Sequence, residues 1–180
     1  MSSSAKKYSE ALFSAVEESG QLEAARRDFD EVMKAFKNTP LFMKFAENPR
    51  IPRNKKREVL KEAFNDVVEP LRNALLILSD RNKLTEVASV YNSFVARYNR
   101  HHNQENVVIE SVYPLSSEEI ESIGKVFVKR TGLSKLLIEN EVNEELIGGI
   151  RVFIGTKVYD GSLNTKLSDL RSKLRESTNS

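Results

Sequence analysis

Residues 147–162 read IGGIRVFIGTKVYDGS, and this stretch decides how the last part of the chain folds. Two short runs of β-branched and aromatic residues flank Gly155-Thr156, a pair typical of a two-residue hairpin turn with glycine first. A second turn, Asp160-Gly161-Ser162, follows, and serine is a residue type that caps helices. The spacing of the next leucines predicts a last amphipathic helix. These leucines are Leu163, Leu167, Leu170 and Leu174.

The chain before this stretch changes character at about residue 106. Within residues 6–100, apolar residues recur every three or four positions in segments that prolines help to separate. This pattern predicts six helices. β-branched residues then predict strands at 107–113 and 135–142, with a capped helix between them. The predicted fold is therefore mainly α with a small α/β part. An N-terminal six-helix bundle is expected in residues 1–105 and a smaller C-terminal α/β domain in residues 106–180, joined through a polar linker at 101–106.

The composition limits the classes of function that the chain can have. Hydrophobic residues make up 39% and charged residues 30%, which is typical of a globular protein. No run reaches the roughly 18 apolar residues of a membrane helix, so no membrane span is expected. The absence of cysteine excludes disulfides, thiolate metal sites and cysteine nucleophiles. A net charge of +2 argues against a strong field for nucleic acid.

The polar motifs do not predict an active site. His101 and His102 are adjacent, and adjacent side chains on a helix point about 100° apart, so they do not readily share a metal. Ser162 lies in Asp-Gly-Ser, outside the GxSxG pattern, which favours a helix cap over a nucleophile. No glycine motif for nucleotides occurs. We therefore expect no catalytic residue, metal, cofactor or small-molecule substrate.

Five cations occur within the eight residues from Arg50 to Arg57. Nucleic acid or an anionic membrane surface could use such a cluster. No aromatic residue is interleaved to stack on a base, so a solvated face is the favoured interpretation. An acidic partner surface stays open as the alternative.

Two predicted helices carry more apolar surface than one buried face requires. In the first helix, one arc contains Tyr8, Ala11, Leu12 and Ala15, whereas Phe13 points elsewhere. In the fifth helix, one stripe contains Leu71, Ala74, Leu75 and Leu78, whereas Leu76 and Ile77 lie outside it. A helix at the centre of a bundle explains this surplus. A groove that accepts an amphipathic partner helix explains it as well.

Four motifs resemble one known family in their order and spacing. They are YSEALF at 8–13, LSDRNKL at 78–84, GGIRV at 148–152 and DGSL at 160–163. In these motifs the chain resembles the delta subunits of bacterial ATP synthases, which are relatives of the mitochondrial oligomycin-sensitivity-conferring protein. The second motif departs from the family pattern, because its asparagine and basic residues are displaced. The last two motifs together form one C-terminal element, which is the most specific part of the resemblance.

The resemblance implies a function without catalysis. The family's members are peripheral-stalk (stator) subunits of a rotary proton-translocating ATP synthase, which link the alpha subunits of the catalytic head to the b subunits of the stalk. Such a subunit resists rotor torque and has a peripheral location on the cytoplasmic face of the bacterial cell membrane. A helical adaptor or regulatory protein of another complex is the alternative. A nucleic-acid-binding protein that uses residues 50–57 is a weaker one, and an enzyme is the weakest.

The resemblance also implies two binding regions. The N-terminal helix of an alpha subunit is expected in a groove between the first and fifth helices, with Leu76 and Ile77 as rivals for the fifth-helix wall. The expected groove residues are Tyr8, Ala11, Leu12, Ala15, Leu71, Ala74, Leu75 and Leu78. The C-terminal end of a b subunit is expected at the last quarter of the chain. The residues that mark this region are Gly148, Gly149, Asp160, Gly161 and Leu167.

Overall fold

The computed structural model describes residues 3–48, 50–163 and 165. These residues are mainly helical and include a small four-stranded sheet, as the sequence predicts. The chain divides into two compact units, Met1–Tyr98 and Asn99–Ser180. Each unit has its own hydrophobic core.

Helices account for the first part of the chain. They are α1 Ser3–Glu18, α2 Leu22–Asn38, α3 Pro40–Glu47, α4 Arg53–Ala63, α5 Glu69–Asp80 and α6 Val87–His101, with a 3-10 turn at Leu84–Glu86. Pro40 and Pro70 lie in the first turns of α3 and α5. A proline fits there because the first backbone N–H groups of a helix have no partner within the helix. The prolines therefore separate the helices, as expected from the sequence.

Aromatic side chains join three helices at the centre of the first unit. The Phe94 ring of α6 lies 5.7 Å from the Phe29 ring of α2 and 5.8 Å from the Phe13 ring of α1, between centroids. All three rings are buried. Each buried phenylalanine contributes about 1.5–3 kcal/mol of apolar burial, so this cluster is a main part of the core.

Helix α5 is covered on more than one side. Its side chains Leu71, Leu75, Leu76 and Leu78 are all buried in the core. Ile77 is the exception, with 46% of its surface exposed. The sequence-based expectation that this helix needs cover on several sides is therefore confirmed, and one apolar residue is left outside.

A polar seam fixes α2 against α6. The Tyr98 hydroxyl donates to Glu23, and the Tyr91 hydroxyl donates to Asp30. The Arg26 guanidinium lies over both rings, 5.5 Å from the Tyr91 centroid and 5.9 Å from the Tyr98 centroid. Burial, followed by the hydrogen bond to Glu23, raises the pKa of Tyr98 to about 12, so this hydroxyl stays a donor throughout the neutral range.

The second unit is a mixed sheet with one crossover helix. Its elements are β1 Gln104–Ser111, α7 Ser117–Thr131, β2 Lys135–Val142, β3 Ile150–Ile154 and β4 Lys157–Asp160. The strand order is β2-β1-β3-β4, with β1 and β2 parallel and the other neighbours antiparallel. The predicted capping box is confirmed, since Ser116 accepts from the Glu119 amide and Glu119 accepts from the Ser116 amide.

The core of this unit lies on one face of the sheet. Val107 and Ile109 of β1 and Val152 and Ile154 of β3 are buried there, and partly buried residues of α7 pack against them. A parallel pair needs a crossover connection, and α7 supplies it between β1 and β2. The predicted hairpin turn is also confirmed: Gly155 has a φ of 57°, in the left-handed region that favours glycine.

The predicted linker at 101–106 is wrong. His101 ends α6, and Gln104 already begins β1. The Asn103 carbonyl accepts from the Ser134 amide at 2.7 Å, which ties the short turn to the start of β2. Residues 104–106 pair with 135–137 through the backbone. Backbone pairing does not depend on apolar side chains, so the polarity of this segment was misleading.

Backbone contacts hold the two glycine motifs together. The Gly161 amide donates to the Ile150 carbonyl at 2.9 Å, and the Leu163 amide donates to the Gly148 carbonyl at 2.9 Å. Gly149 has a φ of 80°, and a Cβ atom there would lie 2.5 Å from the Gly161 carbonyl oxygen. Glycine is therefore required at this position both for its conformation and for space.

Hydrogen bonds also organise the second turn. The buried Ser162 donates its amide to Asp160 at 2.9 Å, and its hydroxyl accepts from the Thr165 amide at 3.4 Å, as an N-cap does. Hydrogen bonding by Ser162 lowers the pKa of Asp160 to about 2. The rest of the predicted last helix, with Leu167, Leu170 and Leu174, lies outside the described residues.

Gly149→Ala should destabilise the second unit by about 2–5 kcal/mol, because the left-handed backbone and the contact with the Gly161 carbonyl both oppose a side chain. Amide hydrogen exchange of β3 in the full chain measures this change. Gly132→Ala is the matched control, since Gly132 has a φ of 73° and nothing within 4 Å of an added Cβ; it should cost about 1 kcal/mol. Equal losses in the two variants would contradict the close contact.

Asp160→Asn should lower the thermal stability of the chain at neutral pH, and much less near pH 2. The pKa of Asp160 falls from 3.8 to about 2 on folding, so the carboxylate stabilises the fold above pH 4 and loses this effect as pH falls towards 2. Melting curves of both chains across this range check the prediction. A difference between them that does not change with pH would contradict it.

Candidate partner-binding site

An open cavity of about 380 Å³ lies between α1 and α5. It is the place where a groove for a partner helix was expected. The residues that line it are Tyr8, Ala11, Leu12, Ala15, Glu69, Pro70, Asn73, Ala74 and Ile77. Six of these nine residues are aliphatic or aromatic, and the other three are Glu69, Pro70 and Asn73.

The α1 wall contains all four residues that the sequence nominated. Tyr8 is half-buried and Leu12 is buried, whereas Ala11 and Ala15 are exposed. The two alanines lie one helical turn apart, and their side chains end at Cβ. Another backbone can therefore approach this part of α1 closely.

The α5 wall differs from the expected one. Of the four nominated residues, Ala74 lines the cavity. Leu71, Leu75 and Leu78 form the stripe that faces the core, so their assignment to the groove is corrected. Of the two rivals, Leu76 is buried in the core and Ile77 lines the cavity.

The lining residues of α5 follow a helical repeat of their own. Positions 69, 70, 73, 74 and 77 share one side of the helix, offset from the leucine stripe. Sequence reasoning missed Glu69, Pro70 and Asn73 because it searched for apolar residues. The sequence feature that could have indicated this side of α5 is Ile77. It lies outside the leucine stripe, with Asn73 and Ala74 one turn before it.

This surface suits binding more than chemistry. A shallow, mostly apolar furrow between two helices accepts the apolar face of a third helix. Acid–base catalysis needs titratable groups that converge, and Glu69 is the single titratable carboxylate among the lining residues. The arrangement can therefore hold a helix by burial, with few polar contacts to orient it.

The residues nominated in the C-terminal region have structural contacts. Gly149 and Gly161 allow the close backbone approach, and the lack of a side chain at Gly148 leaves room for the Leu163 side chain. Asp160 accepts from Ser162 and Arg151. Leu167 lies outside the described residues. Within residues 147–163, three further apolar side chains are exposed and were not nominated from the sequence: Ile147, Val158 and Leu163.

Two cations of the basic cluster at residues 50–57 have structural contacts within the first unit. Lys56 is only 2% exposed, and Arg57 forms an ion pair with Asp80. Arg50, Arg53 and Lys55 are exposed.

Across residues 3–48, 50–163 and 165, no group of three histidine, aspartate or glutamate residues could hold a metal ion. In the same part of the chain, no helix has the length and hydropathy of a membrane span.

A second open cavity, of about 530 Å³, lies between α2 and the start of α6. Its acidic residue Asp30 already accepts from Arg26 and Tyr91, and Lys34 is paired with Glu31. Two of its charged side chains therefore have partners within the chain. The sequence patterns do not predict this cavity.

Comparison with known proteins places these features in a family. The family model described as "ATP synthase delta (OSCP) subunit" matches residues 5–174. ATP synthase subunit delta of Macrococcus caseolyticus is 42% identical over 170 residues, which cover 94% of this chain and 96% of that protein. The subunit of Staphylococcus haemolyticus is 35% identical over 176 residues, 97% of this chain and 98% of that protein.

A solved structure shares the fold over nearly the same length. A chain in the cryo-EM structure of the Toxoplasma gondii mitochondrial ATP synthase hexamer matches with a TM-score of 0.74 and 24% identity, covering 94% of this chain and 96% of that chain. The family match spans most of the sequence and the Macrococcus relative is well above 30% identity. The chain therefore belongs to the ATP synthase delta (OSCP) subunit family.

Proposed function

We propose that the chain joins the catalytic head of an ATP synthase to its stationary stalk through two separate contacts. Family membership makes it a non-catalytic peripheral-stalk subunit of an ATP synthase complex. The α1/α5 groove binds the N-terminal helix of an alpha subunit, and residues 148–174 meet the C-terminal end of a b subunit. The six helices act as one bundle within residues 1–105, and residues 106–180 act as the second domain.

One observation carries the head-binding half of this proposal. Ile77 keeps 46% of its surface exposed on a helix whose leucines are all buried. Beside it, Ala74 and the α1 alanines Ala11 and Ala15 leave room for another backbone. Covering the exposed part of an isoleucine contributes about 1 kcal/mol. A partner helix that also covers Tyr8 gains further free energy of binding from the burial of that side chain.

The stalk-binding half rests on exposed apolar surface in the second unit. Ile147 is 68% exposed, and Leu163 begins the leucine pattern that continues at Leu167. These residues flank the joined glycine motifs, whose backbone hydrogen bonds give a rigid support. A rigid, partly apolar surface is suited to binding a helical stalk.

Two contacts on one chain explain how the joint withstands torque. While one contact holds, the other rebinds as an intramolecular event at high effective concentration. The joint therefore lasts longer than either contact alone. We place the chain at the cytoplasmic face of a bacterial membrane, associated with it through the complex. A helical adaptor of a different complex is disfavoured by the family match across residues 5–174.

Ile77→Asp and Ala11→Trp should each weaken binding of an alpha-subunit N-terminal peptide by at least about tenfold, or about 1.4 kcal/mol. The first places a charge against an apolar helix, and the second fills the furrow. Isothermal titration calorimetry with the full chain measures the affinity. Val126→Asp is the matched control, because Val126 is an exposed apolar helix residue of the other unit. Wild-type affinity in both groove variants would refute the assignment.

Leu167→Asp should weaken binding of a C-terminal segment of the b subunit by at least about tenfold and leave the alpha peptide unaffected. A charge on an apolar contact opposes burial, and the alpha peptide binds in the other unit. Surface plasmon resonance against both partners separates the two effects, and Ala11→Trp should show the reverse pattern. Unchanged binding of the b segment would mean that the stalk contacts another surface.

A further inference from the structure

The groove between α1 and α5 has one charged lining residue. Glu69 is the only side chain that is charged at neutral pH among the nine described residues that line it. It lies in the first turn of α5, and its side chain is exposed. No hydrogen bond or ion pair joins the Glu69 carboxylate to any residue that the structure describes. The groove therefore presents an unneutralised negative charge beside an otherwise uncharged surface.

A structural role does not account for Glu69 well. An acidic residue in the first turn of a helix commonly satisfies a free N–H group. At this helix Asp28 of α2 does so instead, because its carboxylate accepts from the Val68 amide at 2.7 Å. Glu69 makes no such bond with any residue that the structure describes. Its remaining effect on α5 is the dipole interaction of an exposed charge, about 0.3–1 kcal/mol in general.

We propose that Glu69 determines which helix the groove accepts and in which direction. This inference rests on the proposed binding of the alpha-subunit helix. An apolar furrow alone accepts an amphipathic helix in either direction, because burial has no polarity. A charge at position 69 removes this equivalence. The favoured helix carries a lysine or arginine that faces Glu69 when its apolar side chains cover Ile77 and Ala74.

The charge also excludes some helices. An amphipathic helix with an acidic residue at the same place would bring two carboxylates together without a counter-ion, which costs binding energy. Asn73, the other hydrophilic lining residue, is neutral and does not discriminate by charge. Glu69 therefore supplies specificity, whereas Ile77, Tyr8 and the alanines supply the apolar burial.

The test is the affinity of the full chain for a synthetic alpha-subunit N-terminal peptide at low and at high salt. Glu69→Gln should weaken binding about threefold and Glu69→Lys about tenfold at low salt, and both differences should shrink at high salt. The controls are Glu58→Gln and Glu58→Lys, because Glu58 is an exposed helix residue of α4 away from the groove. They should bind like the wild type.

Peptide variants identify the partner charge. Each lysine or arginine of the peptide is replaced in turn by glutamate; one such peptide should bind Glu69→Lys better than it binds the wild type. A role in folding alone would not produce this exchange. If the wild type does not bind the peptide at all, the proposed function fails. If the wild type binds and Glu69→Lys behaves like Glu58→Lys, the groove stands and the role of Glu69 is overturned.

Discussion

The burial of α5 on several sides is the constraint on which the helical unit depends. Four leucines of this helix are buried in the core. Leu71, Leu75 and Leu78 share one stripe, and Leu76 lies on a different side of the helix axis. Rotation of α5 would expose at least one of them, at about 1.5–3 kcal/mol for a full side chain. The orientation of the helix is therefore fixed. The side that faces outward, with Ala74 and Ile77, is fixed with it, and the groove is preformed in the structure.

Most of the elements could be predicted from the sequence, because proline, glycine and apolar spacing act locally. The groove was harder. Periodicity shows which residues share a face of a helix, but it does not show whether that face meets the core or a partner. For α5, Leu71, Leu75 and Leu78 make the better apolar stripe, and the better stripe belongs to the core. The outward stripe mixes Glu69, Asn73 and Ile77, and such a mixture of polar and apolar residues is typical of an exposed surface.

The second unit shows a similar limit. The glycines at 148, 149 and 161 were recognised as a signature, but their spacing could not show that the two motifs touch. That contact follows from the strand register, which brings the end of β4 next to the start of β3. Once they touch, Gly149 has no room for a side chain. The linker prediction for residues 104–106 was wrong for a different reason. These residues pair through backbone atoms, and the pattern of side chains does not indicate backbone pairing.

The boundary between the two units lies inside a helix. Helix α6 runs from Val87 to His101, and the division falls between Tyr98 and Asn99. A chain cut at that boundary would leave the carbonyls of its last turn without the N–H groups of residues 99–101. The loosened turn includes Tyr98, whose hydroxyl holds Glu23 of α2. Proteolysis between Tyr98 and Asn99 would therefore destabilise the helical unit at Tyr98. Neither fragment would keep the last turn of α6 intact.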